Sequence, residues 1–177
     1  MNNEYAFTPN INLDLVQIRK IVLENLDSRI PGMATHHRLV ESSQYLTEIR
    51  NQYPFLSTIY NIYPTSQGYT TPIHIDSGRN CALNIPISNT ENSHTVFYEA
   101  KDIKVEDIKD RVYHKVLSSS TEVFRFTLLE PTVINTKVPH GVFDSGTETR
   151  IIMSWSISSE YTYNDIRGQI GPNGEIF

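Results

Sequence analysis

The stretch "TPIHIDSGRNCALNIPI" (Thr71 to Ile87) decides how this chain is read. It looks like two short apolar strands joined by a turn at Ser77-Gly78. Side chains at i and i+2 of a strand point to the same face, so the first strand sets an imidazole, His74, beside a carboxylate, Asp76. Burying those two groups is costly unless something pairs with them. Together they can chelate a divalent metal from one side, and a third ligand must then come from elsewhere in the chain.

The other histidines are His36, His37, His94, His114 and His140. His140 lies in "VPHGVFDSGTETRIIMSW", between Pro139 and Gly141. That context reads as a strand end beside a turn, which suits a ligand at a rim. Ten residues on, Arg150 opens an apolar strand, where an inward guanidinium needs a partner. Two nitrogens and one carboxylate on one face of a metal form the facial triad of non-haem Fe(II) oxygenases. Three protein ligands leave room for a bidentate 2-oxo acid and for dioxygen, and an inward arginine offers a planar donor fork to the far carboxylate of 2-oxoglutarate. His94 and His114 are the rival third ligands. Neither is followed by an arginine at the same spacing, and His114 falls in a polar insert, so both are set aside. His36 and His37, ahead of "RLV", read as surface residues.

Outward from this stretch, the chain after Phe55 is mostly strand: "FLSTIYNIY", "TPIHID", "CALNIPI", "HTVFYEA", "TEVFRFTLL", "TVINTKV", "PHGVF" and "TRIIMSWSIS", with turn signals between them. Many short strands with frequent turns indicate a β-sandwich or barrel. Two helical patterns precede them, Asn10 to Leu26 with Asn10 or Asn12 as the expected N-cap, and Ser42 to Tyr53 with Ser42 or Ser43. They are expected to cover one sheet from outside. This gives one domain over 1–177, with helical support in 1–54, a β core in 55–157 and a tail in 158–177 that wraps loosely or is mobile. Lys101 to Ser120 is a charged insert without a clear period. It is expected to overhang the site as a lid or rim, with Arg111, Tyr113 or His114 touching substrate; the alternative is a solvated connection or an extra edge hairpin.

Composition bounds the function. In 177 residues the formal net charge is −5, with no Lys/Arg run, which speaks against a nucleic-acid surface. One cysteine, Cys81, fits a reducing cytoplasm and a small buried hydrophobe. The start carries no signal-peptide pattern and no stretch reaches the ~20 apolar residues that cross a bilayer, so no membrane partner is expected.

The order "HID", then "PH", then Arg150 on an apolar strand resembles the Fe(II)/2-oxoglutarate-dependent oxygenases of the double-stranded β-helix (jelly-roll, cupin-like) fold. The likeness runs from Phe55 to Ile157. "IYPTSQGYTTPIHID" is similar to the approach to this motif in prolyl- and aspartyl-hydroxylase-like members, and "RNCALNIPI", "INTKVPHGV" and "RIIMSWS" look like small oxygenases of tailed phages. The resemblance implies Fe(II) on His74, Asp76 and His140, which form the catalytic centre. It implies 2-oxoglutarate as cosubstrate, its far carboxylate on Arg150 and Tyr63. Dioxygen is the oxidant and ascorbate a candidate reductant. The substrate would be an unidentified small molecule or peptide in the cytoplasm (a host's, for a phage gene). Asn84, mid-strand in "ALNIPI", is read as a contact to the near carboxylate or only to backbone, and Ser154 shares the strand face of Arg150 and Ile152, so it belongs to the same pocket. Arg79 reads either as a solvated charge or as a substrate contact, and Trp155 as sheet-to-helix core. Two rivals stand beside the enzyme. One is a jelly-roll binding module without turnover; the other is a phage structural protein whose motif is a relic, which the intact His74, Asp76, His140 and Arg150 disfavour.

Overall fold

The computed structural model describes residues 4–26, 37–40, 43–101, 103–107, 113–117 and 119–172, with backbone alone at 37–40, 107 and 113. In chain order they form β1 (Ala6–Phe7), α1 (Leu15–Asn25), β2 (His37–Val40), α2 (Gln44–Gln52), β3 (Leu56–Thr65), β4 (His74–Asp76), β5 (Cys81–Ser88), β6 (Ser93–Ala100), β7 (Val105–Asp107), β8 (Tyr113–Val116), β9 (Ser120–Phe126), β10 (Thr132–Asn135), β11 (His140–Asp144), β12 (Arg150–Ile157) and α3 (Tyr163–Ile170). The strands make two six-stranded antiparallel sheets, β1-β10-β5-β12-β3-β2 and β7-β8-β4-β11-β6-β9. The chain is a mainly β jelly roll, within the β-sandwich or barrel class read from its strands and turns and of the form that the family resemblance implies.

Alternation along the strands of the first sheet separates two environments. Cys81, Leu83, Ile85 and Ile87 of β5, Met153, Trp155 and Ile157 of β12, and Tyr60 and Ile62 of β3 project to the outer face. There they bury against Ile18 and Val22 of α1, Leu46 and Ile49 of α2, and Tyr163, Ile166 and Ile170 of α3. Trp155 is part of this sheet-to-helix core and donates its Nε1–H to Ser57 O at 2.7 Å. The inner face of the same strands carries Asn61, Tyr63, Thr65, Asn84, Arg150 and Ser154. Cα pairings Ser154↔Asn61, Ser154↔Asn84, Ile152↔Tyr63 and Arg150↔Thr65 place them on one side, since directly opposed residues share a face. The main apolar core therefore lies between sheet and helices, while the space between the two sheets is polar. A smaller cluster of Ala6, Ala82, Phe97 and Ile134, with Tyr5, Phe124, Phe126 and Val138 against it, plugs part of that space.

Two expectations need correction, the cap of α1 and the loose tail; one short strand was not expected, and the insert takes the edge-hairpin form given as its alternative. Helix α1 starts at Leu15, and its cap is Asp14, whose side chain accepts from Gln17 N. Asn10 is instead held in the preceding segment by its N–H to Ile170 O at 2.6 Å. The short β1, which the alternation test is too coarse to find in two residues, adds Ala6 and Phe7 to β10. The insert forms an edge hairpin: β7 and β8 extend the second sheet beyond β4, with Asp76↔Tyr113, Ile75↔His114 and His74↔Lys115 as partners. Arg111 and His36 lie outside the described residues, as does the Tyr113 side chain; His37 is placed by its backbone in β2.

The tail is not loose over its described residues, 158–172. Residues Tyr163–Ile170 are a helix with a complete capping box, in which Thr162 accepts from Asp165 N and Asp165 accepts from Thr162 N. The signal was present as Thr-x-x-Asp ahead of an apolar spacing at Tyr163, Ile166 and Ile170. Loss of such a cap costs about 1 kcal/mol. Thr162→Ala should lower the melting temperature by about 2–4 °C for a domain of this size, read by circular dichroism, with the metal site unaffected.

Candidate metal centre

His74 and His140 are directly opposed on β4 and β11, so their rings share one face, with centroids 4.4 Å apart. Asp76 is the next residue on that face of β4. One donor atom from each of His74, Asp76 and His140 falls within 4.8 Å of the others, and all three residues are buried. It is the only group of three or more His, Cys, Asp or Glu of this kind among the described residues.

Backbone carbonyls set the tautomers. His74 Nδ1 lies 2.8 Å from Pro72 O and His140 Nδ1 lies 2.9 Å from Val138 O, each carbonyl two residues earlier in the chain. A carbonyl only accepts, so each Nδ1 carries the proton and donates it. Each Nε2 keeps its lone pair for a metal, with the ring orientation fixed by the outer hydrogen bond. Asp76 Oδ1 lies 3.8 Å from His74 Nε2.

Electrostatics give the donors the right charge states. Burial, with His74 beside it, pulls the His140 imidazole down to about 4. Burial also lowers His74 against the opposing pull of Asp76. For Asp76 burial acts upward, but Arg79, His140 and His74 together hold its carboxyl below the usual range. Two neutral imidazoles and a carboxylate are ready at pH 7, and metal binding there need displace no proton.

Arg79 is neither solvated nor aimed outward. Its Nε–H donates to Asp76 Oδ2 at 2.6 Å and its Nη1–H to Ser154 Oγ at 2.9 Å. It is also hydrogen-bonded to Tyr63. Burial alone would lower its pKa, yet Asp76 and Tyr63 raise it. Sequence reasoning missed this role. The available signal was a lone cation three residues beyond Asp76, across the tight Ser77-Gly78 turn, which brings the guanidinium back over the carboxylate. Lys137 adds a second cation, its Nζ donating to Asp76 O at 2.9 Å.

Arg150 is 2% exposed and projects from the first sheet into the space between the sheets. Its Nε–H donates to Ser93 Oγ on β6 at 2.7 Å. Burial pulls its pKa down to about 10, opposed by Asp144. Asp144 is not a direct ion-pair partner: its Oδ1 accepts from Gly146 N at 2.9 Å and its Oδ2 has no hydrogen bond. Tyr63 and Ser154 meet Arg79 and not Arg150, with Ile152 between the two levels of the strand. Asn84, opposite Ser154, is buried with its Oδ1 unpartnered.

The two other histidines with described side chains, His94 and His114, stay away. His94 Nδ1 is hydrogen-bonded to Thr127 Oγ1 at 2.9 Å. His114 opposes Ile75 and so lies on the face away from His74 and Asp76, while Lys115, half-buried, shares their face. Phe97 lies with its ring centroid 5.7 Å from that of His140, and Phe124 and Phe126 extend this aromatic wall.

No family model matches the sequence, and no curated protein does. Solved structures do match. The epimerase SnoN, solved with Fe3+, alpha ketoglutarate and nogalamycin RO, aligns over 86% of this chain and 78% of its own, with a TM-score of 0.56 at 9% identity. A Pseudomonas putida prolyl-4-hydroxylase aligns over 86% of this chain and 90% of its own, with a TM-score of 0.47 at 13% identity. At such identities the likeness is one of fold. The chain shares its jelly-roll fold with SnoN, and a His-Asp-His cluster that could hold a metal lies inside it. Among the described residues no helix is long and apolar enough to cross a membrane.

Proposed function

We propose that this chain is an Fe(II)- and 2-oxoglutarate-dependent oxygenase that hydroxylates a small molecule or peptide. The observation that carries the reading is the donor set: two imidazoles whose Nδ1 atoms are tied to backbone carbonyls and one carboxylate, with one donor atom from each of the three residues within 4.8 Å of the others. This set fits Fe(II), and three protein ligands leave positions open for exchangeable ones. His74, Asp76 and His140 hold the metal. Arg150, without a direct carboxylate partner among the described residues, takes the far carboxylate of 2-oxoglutarate. Asn84, buried on the inner face, donates its Nδ2–H to the near carboxylate, and Tyr63 and Ser154 line the same pocket. The bound iron, 2-oxoglutarate and dioxygen supply an oxidant able to attack a C–H bond, with succinate and carbon dioxide as co-products. The Phe97, Phe124 and Phe126 wall keeps water from one side of the centre. SnoN, described with Fe3+ and alpha ketoglutarate on a similar fold, supports the cofactor pair, and its description as an epimerase makes epimerisation the competing outcome for the same chemistry.

The test is succinate release in air by protein loaded with Fe(II) and 2-oxoglutarate, ascorbate being added to keep the iron ferrous. Release that depends on iron and disappears in His140→Ala supports the proposal. Tight binding of both ligands with no succinate, across pools of peptides and metabolites, makes the protein a binding module.

A further inference from the structure

Asp76 has two oxygens with different surroundings. Oδ1 is on the side of the imidazoles, 3.8 Å from His74 Nε2. Oδ2 is turned away and accepts the short charge-assisted bond from Arg79 Nε. The guanidinium cannot drift from that oxygen, because it is tied across the inter-sheet space to Ser154 Oγ and to Tyr63. These anchors stand on β12 and β3, in the sheet that does not carry the cluster. The turn between β4 and β5 thus delivers a fixed cation to one oxygen of one ligand.

We infer that Arg79 is a positioning residue that keeps Asp76 monodentate, and thereby keeps open a coordination position at the metal. This rests on the proposed function and adds a device to it. A carboxylate with both oxygens free chelates a divalent ion readily, as bidentate acidic ligands do in calcium sites. With Oδ2 also bound, the metal would have one open position fewer, and a bidentate 2-oxo acid together with dioxygen would no longer fit. Arg79 removes that alternative by occupying Oδ2. Its positive charge also opposes the metal's, so it costs some metal affinity. Two opposite effects of removing it follow: the metal alone binds as well or better, while the cosubstrate binds worse. A residue that merely supports the fold would weaken both.

Arg79→Met keeps the length of the side chain and removes donor and charge, while Arg79→Lys keeps one charged donor. Mn(II) serves as the probe, with free ion counted by electron paramagnetic resonance and bound water counted by line broadening in 17O-enriched water. In Arg79→Met the Mn(II) dissociation constant should stay equal or fall, bound water should drop by one, and 2-oxoglutarate should bind the Mn(II) protein at least about tenfold more weakly. Arg79→Lys should restore the water count and most of the cosubstrate affinity. Unchanged bound water in Arg79→Met overturns the inference, even if cosubstrate affinity falls, because Arg79 would then touch the cosubstrate itself. Parallel loss of metal and cosubstrate overturns it in favour of a structural role. A wild-type protein that binds no Mn(II), or binds it equally after His140→Ala, removes the proposed function and this inference with it.

Discussion

His140→Ala should raise the dissociation constant for Fe(II) or Mn(II) by more than about 100-fold, beyond the 10–100-fold that loss of an outer-shell partner costs. The imidazole is fixed before any ion arrives. Its strand places it opposite His74, and its Nδ1–H is committed to Val138 O. Burial and His74 keep it neutral down to about 4, so protons do not compete at neutral pH. Among the described side chains no other histidine can replace it, since His94 is engaged with Thr127 and His114 opposes Ile75 on the other face. Isothermal titration of wild type and variant measures the loss, with circular dichroism confirming that the variant folds. Equal affinity would remove His140 from the metal centre.

Arg150→Met should weaken 2-oxoglutarate by about 100-fold or more while leaving metal affinity within a few-fold. Truncating one partner of a buried charged pair costs about 2–5 kcal/mol, and every 1.4 kcal/mol is tenfold. The sign for stability is the reverse. Burial holds the Arg150 pKa at about 10, below its ordinary 12.5, so without an anionic ligand the folded protein disfavours this charge. Replacing a buried charge by an apolar side chain of similar volume is often neutral or stabilising. The melting temperature of the ligand-free variant should therefore hold or rise as cosubstrate affinity collapses. Anaerobic titration of the Fe(II) protein by its metal-to-ligand charge-transfer band and a thermal melt read the two effects separately. Unchanged affinity would mean that Arg150 faces only Ser93 and Asp144.

Much of this was legible in the sequence. Period-two alternation in "CALNIPI" and "RIIMSWSI" assigns Leu83, Ile85, Met153 and Trp155 to one face and Asn84, Ser154 and Arg150 to the other. That alternation carries the two-faced β sheet and, with His74 and Asp76 two residues apart, the shared face of two cluster residues, while the jelly roll itself follows from the family resemblance. What was not legible depends on contacts across the fold. The partner of Arg79 is decided by the path of a two-residue turn and by Ser154, 75 positions away. The charged insert gives no period because its hairpin is an edge addition, where alternation is weakly enforced. The tail was misread because Gly168 and Asn164 lower local helix propensity, while burial of Tyr163, Ile166 and Ile170 outweighs it.

The most direct test is a crystal structure of the protein with Mn(II) and 2-oxoglutarate, with the ion located by its anomalous scattering. A single peak is expected about 2.0–2.2 Å from His74 Nε2, Asp76 Oδ1 and His140 Nε2. The keto acid should chelate it, with the far carboxylate on Arg150. An ion held elsewhere, or held by His94 or His114, would contradict the account.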